Sequence, residues 1–126
     1  MKKHFALFFL ALIASFHASA WVIKPFTTAE FEHLKQNNKP VLVHVHAVWC
    51  PTCSQQSLKL DRILSKNRYD ELTILRVNFD NQKDIAKQLK VLQQSVLIMY
   101  KGKTEKVRSI GDTREDSIKS MIDIGT

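Results

Sequence analysis

Cys50 and Cys53 are the only cysteines in this chain of 126 residues. They stand two residues apart in Trp49-Cys50-Pro51-Thr52-Cys53, directly after the apolar run Val41-Leu42-Val43-His44-Val45-His46-Ala47. Two sulfurs at this spacing, at the exit of an apolar strand, read as a dithiol/disulfide redox centre. A helix opening at or just after Cys50 puts both side chains on one face of its first turn, within disulfide reach. There, free backbone N–H groups and the positive end of the helix dipole favour a thiolate over a thiol at Cys50. The thiolate is the attacking species in disulfide exchange, so Cys50 is the expected nucleophile. Cys53, a turn deeper, is the expected resolving residue. Pro51 suits the first helical turn, where its missing N–H has no intrahelical partner to lose. Trp49 is expected to shield the sulfurs and to offer a partner an apolar surface.

The elements that must position this motif are legible on either side of it. Trp21-Val22-Ile23-Lys24 reads as a short first strand ended by Pro25. Thr27-Thr28-Ala29-Glu30 has capping-box spacing and opens a helix with Phe31 and Leu34 inward, stopping near Asn37-Asn38. Val41 to Ala47 is a near-continuous apolar strand, as at the centre of a sheet covered on both faces. After the cysteines, Leu58, Leu60, Ile63 and Leu64 carry a helical period to about Asn67. Leu72 to Phe79 alternates as a strand, with Leu75, Val77 and Phe79 on one face and Ile74, Arg76 and Asn78 on the other. Asp80-Asn81 is placed to cap a helix through Ile85, Ala86 and Leu89. Val96 to Tyr100 is a further strand, Lys101-Gly102-Lys103 turns the chain, and Val107 to Ile110 returns antiparallel. Asp112 with Glu115 is a second capping-box spacing, opening a last helix with Ile118, Met121 and Ile122 inward. The order βαβα then βαββα predicts an α/β sandwich with a mixed central sheet flanked by helices on both faces.

Residues 1–20 read as a secretory signal peptide. Lys2 and Lys3 precede the apolar run Phe5 to Phe16, broken only by Ser15, and Ala18-Ser19-Ala20 supplies a cleavage site before Trp21. The run is short of the about 20 apolar residues that a membrane span needs. An uncleaved anchor is the alternative. The mature chain, residues 21–126, then holds one domain in an oxidising compartment, with a periplasmic address. Removing Lys2 and Lys3 takes the formal charge from +7 to +5, since residues 1–20 hold no acidic side chain. The remaining lysines and arginines are dispersed from Lys24 to Lys119, which argues against nucleic acid as a partner.

The order of elements, with Trp-Cys-x-x-Cys after the second strand, resembles thioredoxin over essentially the whole mature chain. Val41-Leu42-Val43, Ala47 and Trp49-Cys50-x-x-Cys53 resemble that family's central strand and active site. Leu72 to Asp80 resembles its third strand with an Asn-x-Asp ending, and Val91 to Gly102 the segment facing the cysteines. Among secreted relatives the chain is similar to the C-terminal thioredoxin-like domain of the periplasmic transmembrane electron-relay reductase. Cys-Pro-Thr-Cys also occurs in periplasmic thioredoxin-like reductases of cytochrome c maturation. The resemblance implies the thioredoxin fold and a substrate groove built from Trp49, Pro51, Thr52, Gln94 and Ser95.

Two positions depart from the family. Its cis-proline facing the cysteines corresponds to Ser95, and the only prolines are Pro25, Pro40 and Pro51. A cis bond without proline costs about 2.5–4 kcal/mol, so Gln94-Ser95 is expected to be trans. The family's buried aspartate, a proton relay for the resolving cysteine, corresponds to His44, and its nearby lysine to Arg76. An imidazole with an ordinary pKa near 6.5 exchanges protons near neutrality, so His44 is a candidate relay. Arg76 is a candidate tuner that pushes His44 toward neutral. His46 shares a strand face with His44 and takes the place of an aromatic residue.

The leading expectation is a secreted thiol–disulfide oxidoreductase, a reductase or isomerase of protein disulfides. It needs no cofactor or metal, works as a monomer, and is re-reduced by a membrane-bound or soluble redox-partner protein. One rival is a Cu(I) or Zn module using Cys50, Cys53, His44 and His46. Another is a redox-inactive binding module on the same scaffold.

Overall fold

Apolar strands alternating with half-apolar helices set nine elements in the computed structural model, which describes residues 21–126; the expected signal peptide lies outside the described residues. They are β1 (Val22–Pro25), α1 (Thr28–Gln36), β2 (Pro40–His46), α2 (Pro51–Lys66), β3 (Thr73–Asn78), α3 (Lys83–Gln88), β4 (Val96–Lys101), β5 (Thr104–Ile110) and α4 (Glu115–Gly125). The strands form one sheet in the order β1-β3-β2-β4-β5. β3 pairs in parallel with β1 and β2, while β4 runs antiparallel to β2 and to β5. The mixed sheet and the predicted order of elements are both present.

β2 lies at the centre, so both its faces are covered and its residues from Pro40 to Val45 are buried. Val41, Val43 and Val45 face one apolar cluster with Phe31 and Leu34 of α1 and Ile85 and Ala86 of α3. Leu42 faces the other, with Leu60, Ile63 and Leu64 of α2 and Ile118, Met121 and Ile122 of α4. Each fully buried Leu or Ile contributes on the order of 1.5–3 kcal/mol. Helix packing on both faces therefore locks the register of β2 and fixes where the loop after His46 emerges.

Three local expectations need correction. Leu58 is exposed, because the inward face of α2 runs through Cys53, Gln56, Leu60, Ile63 and Leu64 and leaves Leu58 on the far side. Asp80 and Asn81 do not cap α3. Their backbone N–H groups both bond the Asn78 side-chain oxygen, at 3.0 and 3.1 Å, and this turn delays the helix until Gln82. Asp112 is not the N-cap of α4, which is Arg114. From two residues upstream its carboxylate accepts bonds from the Arg114 guanidinium, the Ser117 hydroxyl and the Arg114 backbone N–H, holding its pKa down at about 2. Thr27 does cap α1, accepting the Glu30 N–H at 3.2 Å.

Candidate functional site

β2 delivers the chain to the sheet's upper edge, and α2 begins there with Cys50 as its N-cap and Pro51 in its first turn. Cys50 has extended backbone angles, and its Sγ accepts the Cys53 N–H at 3.1 Å, the bond that serine or threonine makes at an N-cap. The same donor and the helix dipole stabilise negative charge on that sulfur. Cys50 and Cys53 form a disulfide with Cα atoms 5.3 Å apart. Both are buried, packed with Ala47 and Phe79. Trp49 is largely exposed beside them, its indole N–H held by the Asp80 carboxylate at 3.0 and 3.2 Å. Pro51 is exposed and Thr52 half-buried. Val48, Leu92 and Ile110 are further exposed apolar side chains on segments that adjoin the motif or the Gln94-Ser95 loop.

The segment before β4 closes the opposite side. The Gln94-Ser95 bond is trans, as are all the described peptide bonds, and Ser95 has a positive φ of 63°. Its N–H donates to the Val45 carbonyl at 2.8 Å, extending the β2–β4 ladder by one residue. Its carbonyl accepts from the Gly111 N–H at 2.8 Å and from Gln56 Nε2 at 3.0 Å. Its hydroxyl lies 3.1 Å from Cys50 Sγ and 3.2 Å from Cys53 Sγ. Gln94 is half-buried next to it.

His44 lies beneath α2, yet it touches Gln56 rather than a sulfur. Gln56 Nε2 donates to the Ser95 and Asp112 carbonyls, so its Oε1 is the acceptor, and His44 Nε2 must carry the proton that it receives at 3.0 Å. His44 Nδ1 is buried with no partner. Burial, then the charges of Arg76 and His46, pull the His44 pKa down to about 3 against the raising effect of the Gln56 bond. The expectation of an imidazole titrating near neutrality is therefore corrected: burial keeps His44 neutral there, and its N–H goes to Gln56 and not to a sulfur. The Arg76 charge adds to burial in lowering the His44 pKa. Arg76 itself is half-buried, donates to Ser57 Oγ at 3.2 Å and lines a hollow of about 320 Å³ with His46, Val48 and Ile23; neither sulfur lines that hollow.

The metal-ligand set is not assembled. Among the described residues no group of three or more His, Cys, Asp and Glu is placed to hold an ion. The rings of His44 and His46 meet edge to face at 5.3 Å, with the His44 N–H directed at Gln56.

Gln56 is the residue that sequence reasoning missed. It lies three residues after Cys53, on the same inward helical face, and that spacing was the available signal.

His44 gives the fold a pH dependence whose sign follows from its depressed pKa. The unfolded chain takes the proton near 6.5, whereas the folded protein refuses it until about 3. Its contribution is complete above pH 6.5 and is lost at about 1.4 kcal/mol per pH unit as pH falls toward 3. Urea unfolding at pH 7 and pH 5 should show the wild type losing about 2 kcal/mol more than His44→Asn. Equal losses would mean that His44 titrates alike in both states.

Residues 22–124 match the Thioredoxin family model. A thioredoxin of Alicyclobacillus acidocaldarius subsp. acidocaldarius is 26% identical over 96 residues, covering 76% of this chain and 90% of that protein. The bifunctional thioredoxin reductase/thioredoxin of Mycobacterium leprae (strain TN) is 30% identical over 81 residues. That match covers 64% of this chain and only 18% of the relative's length. The crystal structure of Trxlp from Edwardsiella tarda EIB202 superposes with a TM-score of 0.75 at 37% identity, covering 80% of this chain and 97% of that one.

Proposed function

Since the chain belongs to the thioredoxin family and has its fold, we propose that it is a thiol–disulfide oxidoreductase that reduces or isomerises disulfides of protein substrates outside the cytoplasm. The observation that carries this reading is the Cys50–Cys53 disulfide at the N-cap of α2, where the Cys50 sulfur already accepts a backbone N–H. Cys50 as thiolate attacks the substrate disulfide, and Cys53 resolves the mixed disulfide and releases the reduced product. Trp49, Pro51, Thr52, Gln94 and Ser95 form the groove that receives the substrate, and the exposed Val48, Leu92 and Ile110 suit a protein partner's apolar surface.

The groove differs from the family pattern in one respect that bears on substrates. The Ser95 N–H, a donor that a proline would lack, is spent on the Val45 carbonyl and is not offered to a substrate strand. The Cys-Pro-Thr-Cys motif of the sequence is read as favouring reduction, with re-reduction by a membrane-bound or soluble protein donor. The basic start, apolar run and Ala18-Ser19-Ala20 support a signal peptide at residues 1–20 and a periplasmic monomer from Trp21.

Equilibration against graded glutathione buffers tests this reading. A reductase should poise the pair nearer to about −270 mV, the thioredoxin value, whereas an isomerase or oxidase poises it nearer to about −180 or −120 mV.

A further inference from the structure

Ser95 is held in a conformation that side-chain packing alone does not explain. It is buried, and as a residue other than glycine at φ 63° it carries strain of about 1–3 kcal/mol, which persists only where the surroundings over-determine it. Three hydrogen bonds do so, to Val45, Gly111 and Gln56. What they fix is the hydroxyl between the two sulfurs, at 3.1 and 3.2 Å.

Among the described residues no other side chain hydrogen-bonds either sulfur; His44 Nδ1 and Arg76 Nε are buried without a partner but reach neither sulfur, and the hydrogen bonds of the nearby ionisable groups go elsewhere. His44 on β2 faces Gln56, Arg76 on β3 faces Ser57, Asp80 holds the Trp49 indole, and Asp112 holds Arg114 and Ser117. His46 on β2 packs on the His44 ring. The resolving thiol must still lose a proton, and the hydroxyl is the one protic side chain that touches it.

The geometry points to Ser95 as a catalytic residue whose hydroxyl carries the Cys53 proton to the departing substrate sulfur. This rests on the proposed roles of Cys50 and Cys53. A hydroxyl both donates and accepts. In the reduced pair, Ser95 O–H donates to the Cys50 thiolate while a lone pair accepts the Cys53 S–H. Cys50 attacks the substrate R–S–S–R′, forms Cys50–S–S–R and releases R′ as a thiolate. Then Cys53 Sγ bonds to Cys50 Sγ, and the S–S bond between Cys50 Sγ and the sulfur of R breaks with its electron pair on that substrate sulfur. As it does so, the Cys53 proton passes to Ser95 Oγ and the Ser95 proton passes to the departing substrate sulfur, so that R–SH leaves as a thiol. The substrate disulfide gains two electrons, the dithiol loses two, and the thiol proton is conserved.

Ser95→Ala and Ser95→Gly both remove the hydroxyl, and glycine does so without the strain of positive φ. In rapid mixing with a disulfide-bonded peptide, both variants should form the Cys50 mixed disulfide. Its decay should be slower than in the wild type by on the order of 100-fold. The decay should also accelerate with pH between 6 and 8 in the variants, where hydroxide must take the Cys53 proton in place of the Ser95 hydroxyl, and stay flat in the wild type. Folded variants that resolve at the wild-type rate with a flat profile overturn the role, as does slowing confined to mixed-disulfide formation. A wild type that forms no mixed disulfide at Cys50 overturns the proposed function instead, and the role of Ser95 with it.

Discussion

Cys53→Ser should halt turnover at a covalent adduct between Cys50 and the substrate, with steady-state reduction of a protein disulfide falling at least about 1,000-fold. The chain has no third cysteine to substitute as resolver. The Cys53 position is fully buried against Ser95, so an external thiol has poor access to the adduct. Cys50→Ser should be as inactive and form no adduct. The fold should survive that change, because a serine hydroxyl caps α2 by the bond that the Cys50 sulfur now accepts from Cys53 N–H. Non-reducing intact-mass analysis separates the two: the substrate's mass is added to Cys53→Ser only. An adduct on Cys50→Ser in its place would reverse the assigned roles.

Gln56→Leu should lower the stability of the oxidised protein by about 2–4 kcal/mol, measured as a shift in the urea midpoint. The two side chains are close in volume, so little of the loss comes from a cavity. It comes from the polar groups that lose Gln56, those of His44 and Ser95 buried and that of Asp112 part-buried. The His44 Nε2 proton loses its acceptor, the Asp112 carbonyl loses its donor, and the Ser95 carbonyl keeps only Gly111. An unpaired buried donor or acceptor costs about 1–3 kcal/mol. Leu58→Gln, on the exposed side of the same helix, should stay within about 0.5 kcal/mol of the wild type. A Gln56→Leu protein as stable as that control would mean that the buried network contributes nothing to the fold.

The contrast between these two positions shows what was legible in the sequence. Val41 to Ala47 announced a central strand because burial on both faces leaves no room for polar alternation, and the structure pairs β2 on both edges. The cysteine spacing announced its own geometry because an i,i+3 pair at a helix start has few other arrangements. Gln56 and Leu58 were harder. Hydropathy favours Leu58 inside, but the phase of α2 is set by where Cys53 must point, and that phase carries Gln56 inward.

Ser95 and His44 show a second limit. The missing proline was visible, and so was the trans bond. The bond between the Ser95 hydroxyl and both sulfurs was not, since it depends on a left-handed backbone that three distant partners impose. His44 was read by its ordinary pKa, whereas tertiary burial and the neighbouring guanidinium decide its protonation. Asp80-Asn81 and Asp112 had capping chemistry, but neighbouring side chains, Asn78 in one case and Arg114 and Ser117 in the other, took up their groups.

The central claim, that Cys50 and Cys53 are a working redox couple and not a structural staple, is tested most directly by the thiol–disulfide equilibrium of the pair. The wild-type protein would be equilibrated from both the oxidised and the reduced side in glutathione buffers, then quenched by alkylation and weighed. The account predicts one reversible two-electron transition with its midpoint between about −270 and −120 mV, the same from either direction. A pair that stays oxidised below about −300 mV, as structural disulfides do, or that fails to exchange at all, would contradict it.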